Sequence, residues 1–475
     1  MSSPTSRVTA ADRAARVRFR RAMALMAMTL LVPGSAQVAA GNRRVGRVAM
    51  RTWSVLVLLG LVAVVVSLVH RGFVFWLVSD TTMLRVLRLA LIAAAVGWAA
   101  LFIDAWRIGQ PLTLALPHRR AVIGVNGLLC LTVASVLLFG AHLVGVQRDL
   151  IQTMFGSGEA SDANNGRYNV LLLGGDSGAG RWGLRPDSLT IASIDAESGR
   201  TVLISLPRNM ANFPFARGSV MREQFPRGFD CEDCYLNSVS TWAGDNTGLF
   251  GSSKHPGVDA TVMAVEGITG LKINYWAMVN LQGFRNLVDA VGGVTLNVRS
   301  PIPVGGLGDD VTGYIQPGRR TLTGFETLWF ARAREGSDDY SRMARQKCVM
   351  GAMLQQISPQ VALRNFSKIA EASSDMISTN LPAGEVDRFI DLALKAKDQP
   401  MSTLSLVPPL INTGDPDIGL VKAKVREAID RAEGGAPPAR AKKKPKAQPA
   451  TTGGSIGSMG EGYAANQAED LANAC

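Results

Sequence analysis

Histidine and cysteine are scarce in this sequence: its 475 residues include four histidines and five cysteines. Cys231 and Cys234 form a C-x-x-C pair, but a structural zinc ion takes four such ligands and only His255 lies nearby in sequence. The sequence therefore favours a disulfide between Cys231 and Cys234 over a metal site, with two free thiols as the remaining alternative.

Acidic residues are nearly absent from the start of the chain, whose net charge is +12. The first 52 residues carry ten arginines and a single acid, Asp12, and a second basic cluster, 440–446, lies near the C-terminus. Basic ends of this kind are typical of proteins that bind nucleic acid and of segments that lie beside an anionic membrane surface. The apolar segments decide between these two partners.

Charge is also nearly absent from three long apolar runs, 53–69, 89–104 and 121–146, in which Asp104 is the one charged residue. A helix needs about 20 apolar residues to cross a bilayer, so each run with its apolar flanks can span it. Residues 53–146 are therefore predicted to form a transmembrane region of about three helices. A secretory signal peptide would be one segment near the start, followed by a cleavage site, so three runs of this length are interpreted as membrane anchors.

A further apolar segment, 22–41, is interrupted by Pro33 and Gly34 and has arginines on both sides. Because positive charge favours the cytoplasmic side, both ends of the segment are expected there, as a re-entrant or interfacial segment within a basic cytoplasmic region 1–52. Three crossings then place everything after residue 146 outside the cytoplasm. This topology predicts a multi-pass cell-membrane protein, and with no helix-turn-helix pattern it argues against nucleic acid as a partner.

The remaining chain divides by composition. Residues 147–166 are polar and glycine-rich and are predicted to be a linker, and 167–430 has the pattern of a globular domain. Residues 431–475 are rich in Lys, Pro and Gly and low in large apolar residues, so a disordered tail is predicted there.

Within the globular part, 168–174, 188–194 and 201–206 read as buried strands, and the short connection 195–200 predicts a hairpin between the second and third. Another strand is predicted in 291–298. Helical patterns follow at five places: 259–268, 281–291, 324–333, 340–357 and 385–397. The fold class is therefore α/β, a layered α-β-α domain around a mixed central sheet, preceded by an N-terminal helical transmembrane region.

Charged residues cluster at the predicted strand ends. If the second strand runs antiparallel to the first and the third returns through the hairpin, one edge of the sheet collects five charged side chains: Asp176, Arg181, Arg185, Asp187 and Arg208.

A second charged cluster lies in 321–346. Thr323 and Glu326 have the spacing of a capping box, which starts a helix that ends near Arg332 and Arg334. Ser337 or Asp338 can cap the next helix. On that helix the spacing places three polar residues on one face: Arg342, Arg345 and Gln346.

Two carboxylates and several arginines suit a phosphate compound and a divalent metal. Mg²⁺ takes one or two protein carboxylates together with phosphate oxygens, and guanidinium groups bind phosphate oxygens bidentately. The alternative from spacing alone is a set of surface ion pairs between Asp338 or Asp339 and nearby arginines.

The ordered motifs of this region resemble those of the LytR-CpsA-Psr (LCP) family. The match covers about 167–360 and is carried by GGDSGAGRWGLRPDSLT, SLPRN, LNS, GFRNLVDAVGGVTLNV, LTGFETLWFARAR and DDYSRMARQ. The resemblance implies a phosphotransferase that moves a glycopolymer phosphate from a polyprenyl-pyrophosphate carrier to the C6 hydroxyl of N-acetylmuramic acid in peptidoglycan. It also implies an apolar channel for the prenyl chain, and arabinogalactan or a teichoic-type polymer as the load.

Site roles follow from the same resemblance. Asp176 and Asp187 would bind Mg²⁺, with Mn²⁺ as the alternative metal. Asp187, Arg185 and Arg208 would be catalytic. The pyrophosphate would be held by eight residues: Arg181, Arg185, Arg208, Arg332, Arg334, Arg342, Arg345 and Gln346.

The sequence departs from the family pattern at three positions. Asn209 stands where many members have an acid, Tyr235 where a lysine is common, and Asn280 where an aspartate is common. Two other functions remain open at this point: a polyprenyl-pyrophosphate phosphatase that uses water as acceptor, and a non-catalytic membrane regulator or transcriptional attenuator.

Overall fold

The structure is a computed structural model that describes residues 10–69, 73, 77, 80–155, 160–175, 185–306, 310–334, 338–356, 377–397, 399–434, 466, 467 and 469. It divides into two compact units, one up to Ile151 and one from Gln152 onwards.

The first unit is helical. Its helices are α1 (Ala10–Leu31), α2 (Ser35–Ala40), α3 (Arg43–Val69), α4 (Thr81–Ile108) and α5 (Leu116–Met154). Among the described residues, three segments are long and apolar enough to cross a membrane, Arg43–Ser67, Thr81–Thr113 and Leu116–Asp149. Many of their large apolar side chains face outward, as expected for helices whose solvent is lipid.

The apolar segment 22–41 contains a sharp break. Helix α1 ends at Leu31 and α2 begins at Ser35, and between them Gly34 has a φ of 95°, which side-chain-bearing residues rarely adopt. Both short arms pack on α4: the Trp98 indole N–H donates to the carbonyl of Thr29 at 2.9 Å, and the Gln37 amide donates to that of Leu101 at 3.0 Å. The proline and glycine thus divide the segment into two helices.

The second unit is built on a six-stranded sheet. Its strands are β1 (Arg167–Gly175), β2 (Pro186–Asp195), β3 (Thr201–Leu206), β4 (Tyr275–Asn280), β9 (Ile377–Thr379) and β10 (Ser402–Ser405), and they lie in the order β10-β3-β2-β1-β4-β9. β2 is antiparallel to both β1 and β3, whereas β4 is parallel to β1 and β10 to β3. The predicted hairpin and the predicted mixed sheet are both confirmed.

Helices cover both faces of this sheet. They are α6 (Val220–Gln224), α7 (Val239–Asp245), α8 (Pro256–Thr269), α9 (Leu281–Ala290), α10 (Gly324–Arg332), α11 (Asp339–Gln356), α12 (Val386–Lys397) and α13 (Ile418–Ala432). Alternate strand residues point to opposite faces, so Leu171 and Leu173 pack with α7, α8 and α13, whereas Leu172 faces the side of α11. The layered α-β-α arrangement follows from this alternation.

Two small sheets extend the α11 side. β5 (Val294–Val298) pairs with β8 (Gly318–Leu322), and β6 (Ile302–Gly305) with β7 (Val311–Ile315). Their buried residues share a second hydrophobic core with α10 and α11, including Phe330, Cys348 and Val349.

Two predicted boundaries differ from the structure. The predicted linker 147–166 begins as helix, because α5 continues to Met154, where the apolar repeat has ended but helix-forming residues persist. In the predicted tail, α13 continues to Ala432, and two later residues are bonded to the domain: the Thr403 N–H donates to the carbonyl of Glu469, and the Asn466 amide to that of Tyr340, both at 2.8 Å.

Replacing Gly267 with Ala should destabilise the second unit. Gly267 lies in α8, and a Cβ there would come within 2.1 Å of the carbonyl oxygen of Pro214. Forcing backbones apart in a packed core costs about 2 kcal/mol. Urea unfolding of the full chain in detergent, followed by tryptophan fluorescence, measures the loss.

Gly244→Ala is the matched control, since Gly244 is also helical but nothing lies within 4 Å of its added Cβ. It should be neutral or slightly stabilising, because alanine has the higher helix propensity. Equal stability of the two variants would contradict the packing argument.

Candidate functional site

The site lies at the sheet edge where β1 ends and β2 begins. Gly175 pairs with Pro186 across this edge, which places Asp187, the second residue of β2, at the same edge. β3 ends at Leu206 beside Leu189, so Arg208 leaves the sheet on the same side. The topology thus brings Asp187 and Arg208 together, as expected from the strand directions.

Three other residues are predicted for this rim. Asp176 and Arg181 lie outside the described residues. Arg185 precedes β2 as an exposed residue.

The centre of the site is an ion-pair network. The Arg208 Nη1 atom donates to Asp187 Oδ1 at 2.5 Å, and its Nε atom lies 3.3 Å from Asp339 Oδ1. Arg342 lies 3.1 Å from Asp339 and donates to the backbone carbonyl of Asp187, also at 3.1 Å. Two carboxylates therefore hold two guanidinium groups in fixed positions.

Burial shapes the charges of this network. Burial lowers the pKa of Arg208, but the carboxylates of Asp339 and Asp187 outweigh it and raise that pKa overall. Arg342 is 3% exposed, and burial lowers its pKa to about 10 against the opposing effect of Asp339. Both side chains remain cationic at neutral pH, as a phosphate site requires.

Asp339 belongs to the site, although the sequence pattern presents it only as a partner in surface ion pairs. Its side chain is 19% exposed and pairs with both Arg208 and Arg342. One sequence feature could have identified it: Asp339 lies at the start of α11, one turn before Arg342 on the same helix face.

A cavity of about 280 Å³ opens beside the network, and we name it the head-and-tail cavity. Its polar lining, which we call the polar end, consists of Asp187, Asn280, Arg332, Arg334, Arg342 and Gln346. Its apolar lining, which we call the apolar end, consists of Val279, Leu281, Phe284, Leu287, Leu328, Ala331, Val349, Met350 and Met353. The lining therefore combines cationic with hydrocarbon side chains, and along α11 it changes from the first kind to the second.

Helical periodicity produces this gradient. Arg342 and Gln346 are one turn apart on α11, and Val349, Met350 and Met353 continue the same stripe along the helix. On α9, the residues Leu281, Phe284 and Leu287 recur at intervals of three and face the same cavity. The apolar lining, which the motifs alone did not locate, is thus assigned to α9, α10 and α11.

Arg332 and Arg334 enter the cavity from the end of α10. The predicted capping box is present, since Thr323 and Glu326 exchange hydrogen bonds at its start. At its end, Arg332 lies over the ring of Trp329, 5.3 Å from the ring centre.

Arg345 differs from the expectation that it faces the pyrophosphate with Arg342 and Gln346. Its Nε atom donates to the carbonyl of Phe330 at 2.8 Å and its Nη2 atom to that of Ala333, and its side chain does not line the head-and-tail cavity. The i, i+3 spacing does place Arg342 and Arg345 on one broad face of α11. That face contacts both the cavity and the end of α10, and Arg345 contacts the latter.

The segment after a disulfide-bonded loop is hydrogen-bonded to the backbone of Arg208. Cys231 and Cys234 form a disulfide, and the segment that follows it donates from the Asn237 N–H to the carbonyl of Arg208 at 3.0 Å. Tyr235, in the position where a lysine is common, is 39% exposed on this segment. Cys348 is disulfide-bonded too, whereas Cys130 is free.

The donors present fit a divalent cation in part. Among the residues that the structure describes, no three His, Cys, Asp or Glu side chains form a metal cluster. Asp187 is 30% exposed and lines the cavity, so its carboxylate can serve as one hard oxygen ligand. This is enough for Mg²⁺ when phosphate oxygens and water supply the others.

Comparison with known proteins connects this site to a family. The LytR_cpsA_psr family matches residues 147–412. Biofilm regulatory protein A of Streptococcus mutans is 25% identical over 283 residues, 58% of this chain and 64% of that protein. The polyisoprenyl-teichoic acid–peptidoglycan teichoic acid transferase TagU of Bacillus mycoides is 28% identical over 235 residues, 48% of this chain and 64% of that protein. The chain thus spans just under two thirds of the length of these relatives.

Solved structures show more distant similarity. Bacillus subtilis TagV is 22% identical with a TM-score of 0.41, over 58% of this chain and 100% of that chain. TagT bound to LIIa-WTA is 18% identical with a TM-score of 0.39, over 58% of this chain and 95% of that chain. The family match itself covers more than half of the 475 residues and includes every described residue of the head-and-tail cavity. The chain therefore belongs to the LytR-CpsA-Psr family.

Proposed function

We propose that this protein transfers a glycopolymer phosphate from a polyprenyl-pyrophosphate carrier to the C6 hydroxyl of N-acetylmuramic acid in peptidoglycan. The observation that supports this most directly is the head-and-tail cavity. Its apolar end suits a prenyl chain, and its three arginines, Arg332, Arg334 and Arg342, suit the adjoining pyrophosphate. The TagU relative is named for a transfer of the same class.

The charged residues have distinct parts in this reaction. The acceptor hydroxyl attacks the phosphorus that bears the glycan and gives up its proton. The bond from that phosphorus to the bridging oxygen breaks, and prenyl phosphate leaves with the bond electrons and takes up that proton. Arginines that are already in position stabilise the charge on the leaving group, because phosphoryl transfer depends mainly on positioning and electrostatics. Arg332, Arg334, Arg342 and Gln346 are proposed to bind the pyrophosphate.

Arg208 and Asp187 are proposed to act nearest to the reacting phosphorus. Arg208 is exposed enough, at 20% of its side chain, to contact a phosphate oxygen while Asp187 and Asp339 hold it. Asp187 would be one ligand of Mg²⁺ or Mn²⁺, which when bound neutralises phosphate charge. The roles of Asp176, Arg181 and Arg185 rest on the family motif alone.

Asp187→Ala and Arg208→Ala should each lower the transfer rate at least about 100-fold, the scale expected when a preorganised charge is lost from a transition state. The measurement is transfer of labelled glycan from a polyprenyl-pyrophosphate donor to peptidoglycan by the full-length protein in detergent. Arg222→Ala is the matched control, since Arg222 lies on α6 and lines neither the cavity nor the network.

The same assay separates the competing activities. Release of glycan phosphate without peptidoglycan, at the rate seen with it, would identify a phosphatase that uses water. Full activity of either site variant would contradict the site assignment, and no turnover of the donor by wild-type protein would favour a non-catalytic regulator.

Leu328→Gln should weaken the dependence of KM on prenyl length. Each buried CH₂ contributes about 0.8 kcal/mol, so wild-type KM should fall as the chain grows until the apolar end is filled. A polar group at Leu328, in the apolar end of the cavity, should raise KM about tenfold for long chains and leave short-chain donors little changed. Leu249→Gln, an exposed position outside this cavity, is the control, and an equal KM change for short and long chains would contradict the lining assignment.

The second unit is proposed to lie outside the cytoplasm and the N-terminus inside. The arginine-rich start and the three apolar helices support this orientation, and so does the Cys231–Cys234 disulfide, because disulfides persist in oxidising compartments. Protease added to intact spheroplasts should digest an epitope tag at the C-terminus and leave one at the N-terminus whole. The opposite pattern would overturn the orientation.

A further inference from the structure

The end of α10 presents backbone carbonyls that its own amides do not satisfy. The last regular bond runs from the Ala333 N–H to the carbonyl of Trp329 at 2.9 Å, and Ala333 then leaves the helical conformation with φ −55° and ψ 135°. The final carbonyls of a helix lack amide partners and carry the negative end of its dipole. Two of these carbonyls belong to Phe330 and Ala333.

Arg345 meets both of these carbonyls from α11. Its Nε atom donates to Phe330 and its Nη2 atom to Ala333, and the side chain is 1% exposed. Burying a cation is unfavourable unless it is bonded to polar partners, and the carbonyls at a helix C-terminus are suitable ones. The guanidinium fork can reach two carbonyls three residues apart, whereas a lysine presents a single point charge.

The segment fixed in this way carries two arginines of the head-and-tail cavity. Ala333 is completely buried, and its neighbours Arg332 and Arg334 both line the polar end. Arg342, on the same helix as Arg345, lines that end too. The contact of Arg345 with α10 therefore joins the arginines of two helices into one arrangement.

We propose that Arg345 is a positioning residue that holds Arg332 and Arg334 in place for the pyrophosphate of the substrate and does not itself bind phosphate. This inference rests on the proposed function for the identity of the ligand. The contacts that fix the end of α10 do not depend on the proposed function. Burial lowers the pKa of Arg345 to about 10, so the side chain stays cationic under the conditions in which it bonds to the carbonyls.

The test is a double-mutant cycle on binding of geranylgeranyl pyrophosphate to the full-length protein in detergent. Arg345→Lys should weaken binding about tenfold in the wild-type background. The same change is then made in the Arg332→Ala/Arg334→Ala protein, which retains residual binding through the apolar end and the remaining arginines. There, Arg345→Lys should weaken binding less than about twofold. An equal loss in both backgrounds would show that Arg345 contacts the phosphate directly and would overturn the proposal.

A second measurement does not depend on the proposed function. Arg345→Lys should increase amide hydrogen exchange in a peptide covering 328–334 and leave α8, on the other side of the sheet, unchanged. If the lysine variant does not fold, Arg345→Met supplies an apolar side chain of similar length, since buried ionic groups are often replaced by apolar ones without loss of fold. Unchanged exchange in 328–334 would overturn the positioning role, whereas increased exchange without any lipid binding by wild-type protein would refute the proposed function alone.

Discussion

The ionic network at the sheet edge is the constraint on which the site depends. Asp339 pairs with both Arg208 and Arg342, and Asp187 pairs with Arg208, so the two carboxylates offset the repulsion between two guanidinium groups that have little contact with solvent. Replacing one of these four side chains with an uncharged one would leave a buried charge without its partner. The free-energy cost of that charge exceeds the net contribution of the ion pair to stability. The network forms where the start of β2, the loop after β3 and the start of α11 come together. The head-and-tail cavity opens beside it.

The cavity takes its polarity from helix geometry more than from any single residue. On α11 the stripe changes from Arg342 and Gln346 to Val349 and Met353 within three turns, and α9 presents only apolar residues to the same space. The cavity therefore offers both cationic and apolar side chains to a single ligand. This property supports an amphiphilic carrier more strongly than the arginines alone would.

Much of this arrangement could be predicted from sequence because it depends on local periodicity. The strands 167–175 and 201–206, the capping box at Thr323 and the antiparallel course of β2 all follow from patterns within a few residues. The role of Arg345 could not be predicted in this way, because its partners are backbone carbonyls on another helix and leave no mark in the sequence. Asp339 was misjudged for a related reason: a carboxylate beside arginines has the same pattern whether its partners lie on the surface or in a buried network.

The two ends of the central sheet also limit what the protein can bind by strand pairing. β9, at one edge, has three residues in the described part of the chain, and β10, at the other, has its Thr403 N–H already bonded to the carbonyl of Glu469. Unpaired edge strands invite association with other chains, and short or covered edges prevent it. Glu469 thus occupies one hydrogen-bonding position that a strand from another chain would need in order to pair with the β10 edge.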